Sequence, residues 1–173
     1  MRDKIFSGIL LSFMVFLMFS CGITKPLPAG VESPKKLSDI FGFKVTYKDN
    51  LLLYTEAANW LNVKHKYGGN TKSEIDCSGL VVQIYDKVYK KRLKRSSADM
   101  LKNNCRKIRR KNLQEGDLVF FRTTPGSKKV PNHVGIYLKD KYFIHASSSR
   151  GVKIDKVNSK YFDKYWITGG RVK

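Results

Sequence analysis

Apolar positions recur at helical spacing in the first half of the folded region. Behind Asp49, a possible helix cap, one apolar stripe contains Leu51, Tyr54, Ala58 and Leu61. A second helix is predicted to begin at Cys77, because the residues after it follow the spacing of an amphipathic helix: Leu80, Val81, Ile84, Tyr85 and Val88. A short helix is predicted over 97–103. The first half is therefore mainly helical.

From Gly116 onward the apolar residues alternate or form short runs, which is typical of strands. The pattern predicts strands over 117–121, 132–138 and 142–147, with closing strands over 151–154 and 166–172. Helices followed by a mainly antiparallel sheet indicate an α+β fold.

The connection 139–141 determines how two histidines are oriented. If it is a three-residue hairpin loop, His133 and His145 lie diagonally on one face of the hairpin. A two-residue loop would place them on opposite faces. The apolar residues Val134, Ile136 and Ile144 share one face only with the longer loop, which favours the paired arrangement. Two structurally buried histidines are the alternative interpretation.

Cys77 lies at the predicted start of its helix, where free backbone N–H groups and the helix dipole favour a thiolate. A thiolate with a histidine base is the nucleophile of cysteine hydrolases. A small buried cysteine is the ordinary alternative, and the two histidines favour the catalytic interpretation. Metal binding is disfavoured, because neither C-x-x-C nor H-E-x-x-H spacing occurs. Cys105 is expected to be reduced and incidental, although pairing with Cys77 is conceivable after export.

The N-terminus has the features of an export signal. A basic start is followed by the uncharged run from Ile5 to Phe19, which is short for a membrane span. Cys21 directly after Ser20 resembles a bacterial lipobox. We predict a signal peptide over 1–20, a lipidated N-terminus and tether over 21–48, and a folded domain over 49–173. The tether is predicted because Pro26, Pro28 and Pro34 would break any helix there. Plain secretion and an uncleaved anchor are the alternatives.

The 173-residue chain has 34 Lys+Arg against 14 Asp+Glu, a net charge of +20. Within 87–111 only Asp99 opposes a dense set of basic residues: Lys87, Lys90, Lys91, Arg92, Lys94, Arg95, Lys102, Arg106, Lys107, Arg109, Arg110 and Lys111. Such density indicates contact with an anion. For an exported protein this means acidic wall polymers or lipid headgroups, and no nucleic acid is expected. A merely solvated face is the alternative.

Four blocks of sequence resemble the NlpC-type family of papain-like bacterial cell-wall peptidases: 67–69 with 76–79, 116–121, 133–137 and 143–147. The resemblance runs from about residue 50 to the end and is nearest to small lipoprotein murein endopeptidases. It implies a papain-like fold in which Cys77 is the nucleophile, His133 the general base and acid, and His145 the residue that orients His133. Asp76 and Ser78 match substrate-cleft positions, although both residue types also suit a helix cap.

The resemblance further implies hydrolysis of amide bonds in peptidoglycan stem peptides or crosslinks, without a cofactor. His65 departs from the family pattern, since a tyrosine that assists the oxyanion usually stands there. An imidazole can also donate to an oxyanion, and a plain surface histidine is the alternative. We expect a monomeric envelope lipoprotein facing the periplasm, held in the membrane through lipid on Cys21. The functional alternatives are a non-catalytic binder of an anionic polymer and an amidase of the same clan.

Overall fold

A computed structural model describes residues 27–124 and 130–173 of the chain. The helices are α1 (Pro34–Phe41), α2 (Leu51–Trp60), α3 (Cys77–Tyr89), α4 (Ser97–Asp99) and α5 (Lys160–Tyr165). A π-helical turn, Met100–Asn104, continues α4, and a 3-10 turn spans Arg110–Asn112. No described helix has both the length and the apolar character needed to cross a bilayer.

The strands are β1 (Lys64–His65), β2 (Glu74–Ile75), β3 (Cys105–Ile108), β4 (Leu118–Phe121), β5 (His133–Tyr137), β6 (Tyr142–Ser147), β7 (Gly151–Lys156) and β8 (Trp166–Val172). β1 and β2 form a short parallel pair. The other six form one antiparallel sheet in the order β3-β8-β4-β5-β6-β7. The predicted α+β architecture, with helices before an antiparallel sheet, is confirmed.

The β5–β6 hairpin has the register that pairs the two histidines. Ile136 lies opposite Ile144, and Tyr137 lies opposite Phe143. Leu138 N–H donates to the Tyr142 carbonyl, so the loop consists of the three residues 139–141, of which Asp140 and Lys141 adopt left-handed backbone angles. The prediction of a three-residue loop is therefore confirmed.

The sheet has two different faces. On one face Val134, Ile136 and Ile144 pack into the main core with the buried side of α3. On the other face Phe121, Phe143 and Phe162 belong to a smaller aromatic cluster. The period-two alternation of β5 and β6 separates the two sets of side chains, so the histidines share the aromatic face.

Residues 34–48 are not a tether, and that prediction is wrong for this part of the chain. Ser33 caps α1 by accepting a hydrogen bond from Lys36 N–H, and Pro34 occupies the first turn, where its missing N–H costs nothing. Leu37 is fully buried in the main core, a contribution of about 2 kcal/mol. A proline at a helix start was mistaken for a helix breaker. The packed domain thus includes these residues.

Asp49 was predicted to cap α2, and that prediction is wrong. The cap is Asn50, whose side chain accepts the N–H of Leu53 at 3.1 Å. The Asp49 carboxylate instead accepts the N–H of Thr46 and binds Lys139 Nζ at 2.8 Å. Asp49 therefore ties α2 to the β5–β6 loop.

α5 was not predicted. Ser159 caps it, and Phe162 faces the sheet and is 6% exposed. The helix is only six residues long, which is too short for its sequence to show a repeated helical stripe. Its position matters because Phe162 covers the two histidines.

Candidate active site

Cys77 is the first residue of α3, as predicted. Its thiol is half-buried, and burial raises the pKa of Cys77, with the charge of Asp76 adding to the rise. Backbone N–H groups of Val134, Ser78 and Cys77 act in the opposite direction and favour the thiolate. The thiol is therefore protonated at rest, contrary to the thiolate that the helix start alone predicts, because burial outweighs the N–H groups. It lies beside β5, next to the backbone N–H of Val134.

The start of α3 is held by an ion pair between Asp76 and Arg95. The Asp76 carboxylate accepts the N–H of Gly79 at 2.6 Å and that of Gly68 at 2.9 Å, together with the Ser78 hydroxyl at 3.0 Å. Arg95 donates to both carboxylate oxygens, at 2.8 and 2.9 Å. Asp76 thus caps the helix, orders the preceding loop and binds a guanidinium at the same time.

A glycine is required at this cap. A Cβ at Gly79 would lie 2.6 Å from a backbone carbonyl oxygen and 3.2 Å from Asp76 Oδ1. Any larger residue would displace the Asp76–Arg95 pair. The Asp-Cys-Ser-Gly sequence therefore combines the helix cap, the thiol and the space that the cap needs.

The two histidines form a direct hydrogen bond. His133 Nε2 lies 2.9 Å from His145 Nδ1, and their rings are nearly perpendicular at 84°. A Cβ at Gly135, on the same face, would lie 2.5 Å from a backbone oxygen, 2.6 Å from Phe143 Cδ2 and 3.1 Å from His145 Cβ. Gly135 therefore leaves room for both Phe143 and His145.

Aromatic rings enclose the histidine pair. Phe143 stacks on His145 at 4.9 Å between ring centroids, and Phe162 meets the same imidazole edge-on at 5.1 Å. Phe162 also stacks on His133 at 6.2 Å. This enclosure removes water from the imidazoles and disfavours their charged forms.

Burial is accordingly the main cause that lowers the pKa of both histidines. For His133 the neighbouring His145 and His65 lower the pKa further, to about 3. For His145 a hydrogen bond with Asp155 opposes burial without overcoming it. The imidazoles are therefore neutral at rest, and His133 can accept a proton.

Asp155 extends the pair to a line of three groups. Its Oδ2 lies 2.9 Å from His145 Nε2, and its Oδ1 accepts a hydrogen bond from Lys153 at 2.8 Å. Sequence reasoning missed this residue, because only 151–154 was assigned to the closing strand. Pairing of Ser147 with Gly151 puts Lys153 opposite His145 and Asp155 opposite Phe143, one diagonal step away.

These groups line one cleft of about 1160 Å³, which also contains His65, Ser78 and Arg95 at its wall. Arg150 and Tyr161 lie on the same lining. The cleft thus brings together the predicted nucleophile, both histidines and His65. Among the residues that the structure describes, no cluster of three or more His, Cys, Asp or Glu has a metal-binding arrangement.

Comparison with known proteins agrees with this geometry. Residues 62–171 match the model of the NlpC/P60 family, which is more than half of the chain. The chain belongs to the NlpC/P60 family. The match includes the cysteine helix and the six-stranded sheet up to Arg171 in β8.

Two relatives illustrate the similarity of this NlpC/P60 chain. An Escherichia coli (strain K12) protein named murein DD-endopeptidase MepS/murein LD-carboxypeptidase is 37% identical over 115 residues, 66% of this chain and 58% of that protein. A Haemophilus influenzae protein named probable endopeptidase NlpC homolog is 35% identical over 113 residues, 65% of this chain and 57% of that protein. The chain thus spans less than two thirds of either relative.

Solved structures show the same fold. A Staphylococcus aureus protein, described as similar to a lipoprotein of the NLP/P60 family, superposes with a TM-score of 0.62 at 29% identity. The superposition covers 73% of this chain and 42% of that one. The papain-like fold of the NlpC/P60 family is therefore present here.

The structure places the predicted site residues of this NlpC/P60 chain in different surroundings. Cys77, His133 and His145 line one cleft, and the two histidines are hydrogen-bonded to each other; their catalytic roles stay a prediction. The Asp76 carboxylate and the Ser78 hydroxyl are engaged at the helix cap. The role of these two in substrate binding stays a prediction. Cys105 is a free thiol buried in β3. Cys21 lies outside the described residues.

Proposed function

We propose that the protein is a cysteine endopeptidase that hydrolyses amide bonds in peptidoglycan stem peptides or crosslinks. The observation that carries this is the half-buried thiol of Cys77 at a helix start, next to a strand whose His133 is hydrogen-bonded to His145. The printed names of relatives at 35% and 37% identity, endopeptidase and murein DD-endopeptidase, support the substrate class.

The reaction follows from the ring nitrogens that remain available. Since Nε2 of His133 is bonded to His145, Nδ1 is the nitrogen that takes the Cys77 proton. The sulfur attacks the amide carbon, and the oxyanion is stabilised by the Cys77 backbone N–H. The C–N bond breaks as His133 gives its proton to the leaving amine. A water then loses a proton to His133, cleaves the thioester and regenerates the thiol.

The test is digestion of purified peptidoglycan, with muropeptides identified by mass spectrometry. We expect Cys77→Ala to abolish their release and Cys105→Ala to retain it, because only the first cysteine lies in the cleft. An alkylating agent should inactivate the protein in parallel with modification of Cys77. Undiminished release by the Cys77 variant would refute the proposal. The product masses would identify the bond that is cut.

A second part of the proposal concerns His65, which we place at the oxyanion. It lines the cleft with Cys77 and is close enough to His133 to contribute to the lowered pKa of His133. We expect His65→Ala to lower kcat by about 100-fold with little change in KM, as loss of an oxyanion donor does. His65→Tyr should restore part of the rate. A variant with wild-type kcat would make His65 a plain surface histidine.

We also propose that the protein is a monomeric envelope lipoprotein facing the periplasm, anchored through Cys21. The support is the uncharged run that ends in Ser20-Cys21. Labelled palmitate should enter the wild-type protein and not Cys21→Ser, which should move from the membrane fraction to the soluble fraction. Equal labelling of both would refute lipidation, and light scattering of the folded domain would test the monomer.

Binding of an anionic wall polymer is a second candidate function. β3 is an edge strand on which Arg106 and Lys107 are exposed, and Arg109 and Lys111 follow it exposed. Charge reversal at Arg106 and Lys107 should weaken binding to teichoic acid or lipopolysaccharide, and wild-type binding should fall steeply with salt. If the charge-reversed protein bound with unchanged affinity, these basic residues would form only a solvated face and the polymer-binding function would be refuted. Cys77→Ala should bind normally.

A further inference from the structure

Three groups that line the cleft form a continuous hydrogen-bonded line. His133 Nε2 meets His145 Nδ1 at 2.9 Å, and His145 Nε2 meets Asp155 Oδ2 at 2.9 Å. Each distance suits a strong hydrogen bond. The line connects residues of three successive strands, β5, β6 and β7.

A carboxylate can only accept hydrogen bonds, so Asp155 determines where the proton lies on each ring. Nε2 of His145 must carry hydrogen to donate to Asp155. Nδ1 of a neutral His145 is then a lone pair, and it must accept from His133. Nε2 of His133 therefore carries the hydrogen, and Nδ1 of His133 is left bare. That is the nitrogen which has to take the thiol proton.

The surroundings keep Asp155 in the acceptor form. Burial would raise the pKa of Asp155, but hydrogen bonds from His145 and Lys153 outweigh it and hold the pKa below its usual range. Lys153 lies on the same strand, 2.8 Å from the other carboxylate oxygen. The apolar rings of Phe143 and Phe162 also pack against the His145 ring. The titratable groups that act on the Asp155 carboxylate are His145 and Lys153.

We propose that Asp155 is a positioning residue that holds both histidines in the single tautomer competent to deprotonate Cys77. This rests on the proposed function and adds a fourth member to the catalytic group. The Asp76 carboxylate has no such role, since its hydrogen bonds go to the α3 cap and to Arg95.

The tautomers can be observed directly, independently of activity. The chain has three histidines, so long-range ¹H–¹⁵N spectra of the labelled folded protein can be assigned with single variants. We expect both His133 and His145 to carry hydrogen on Nε2 and none on Nδ1. Asp155→Ala should give mixed tautomers at His145, whereas Asp155→Asn, which can still accept through its amide oxygen, should retain the wild-type pattern. A proton on His145 Nδ1 in the wild type, or unchanged tautomers in Asp155→Ala, would overturn the proposal.

Kinetics give the second readout. Asp155→Ala should lower kcat by about 10- to 100-fold with KM within twofold, the effect of losing one charge-assisted hydrogen bond. Asp155→Asn should recover part of that loss. Asp163→Asn is the matched control, because Asp163 pairs with Arg110 on the exposed surface and should leave kcat unchanged. Wild-type kcat in Asp155→Ala would refute the role, and an inactive wild-type protein with the expected tautomers would refute only the peptidase assignment.

Discussion

Asp76 on the cysteine side of the cleft and Asp155 on the histidine side are both partly buried, and both bind a basic side chain. Their remaining hydrogen bonds differ. Asp76 accepts from two backbone N–H groups, a hydroxyl and a guanidinium, so its carboxylate is saturated by the local fold. Asp155 accepts from one lysine and one imidazole.

The difference shows how two acids in one cleft take different roles. Saturation by backbone donors makes Asp76 part of the α3 cap, which stabilises the fold and positions Cys77. The Asp155 carboxylate, which accepts from the His145 imidazole, instead determines which ring nitrogens carry hydrogen. Substitution of Asp76 should therefore lower the stability of the fold, and substitution of Asp155 should lower the rate.

The largest expected effect is on the histidine side. His133→Ala should lower kcat/KM by about 10³-fold, because the general base and acid is lost, while the midpoint of thermal unfolding changes little. Val134→Ala is the matched neighbour, since its side chain lies in the main core on the opposite face. It should cost about 2 kcal/mol of unfolding free energy and leave the chemistry in place. A large stability loss in His133→Ala would contradict the separation of the two sides.

A smaller effect is expected at Asp76. Asp76→Ala should lower the free energy of unfolding by about 3 kcal/mol, since it removes the helix cap and the acceptor of Arg95. Asp76→Asn can still cap α3 and should lose less. Asp86→Ala, on the exposed side of the same helix, should stay within about 0.5 kcal/mol of the wild type in urea denaturation.

The contribution of Asp76 to the free energy of unfolding should depend on pH. The folded-state pKa of Asp76 is lowered, because hydrogen bonds from Arg95 and Gly79 outweigh the raising effect of burial. The stabilisation is therefore full above the ordinary value of 3.8 and is lost as pH falls through the lowered pKa. Wild type and Asp76→Ala should converge in stability at strongly acidic pH. A constant difference between them would contradict this assignment.

The smallest expected effect is the position of the pH limits of kcat/KM. The lowered pKa of His133 means that the cysteine–histidine pair gains a proton only below the ordinary histidine value of 6.5. The raised pKa of Cys77 means that the pair loses a proton only above the ordinary cysteine value of 9.0. Activity should be flat between these limits, which belong to the coupled pair. If kcat/KM already began to fall above pH 6.5 as the solution is made more acidic, the imidazoles would not be desolvated.

Much of the site could be predicted because its determinants are local. The helical spacing after Cys77 places the thiol at a helix start, and alternation in β5 and β6 places both histidines on one face. The hairpin loop length then follows from the requirement that the apolar residues share the other face. None of these inferences needs a contact between distant segments.

What was missed depends on segments that meet only in the folded chain. Arg95 was predicted only as one of many basic residues that contact an external anion, because its partner Asp76 lies nineteen positions earlier. Phe162 gave no signal, since its short helix has no apolar stripe. The helix at Pro34 was missed because the sequence alone does not distinguish a proline in the first turn of a helix from a proline that prevents a helix.

The amino-acid sequence by itself determined the order of helices and strands, the position of Cys77 and the shared face of His133 and His145, since each follows from spacing along one or two neighbouring elements. Only the tertiary structure decided that Asp155 reaches His145, that Arg95 locks Asp76 and that aromatic rings enclose the imidazoles. Burial and hydrogen-bond direction, which set the proton positions, arise only when remote parts of the chain pack together.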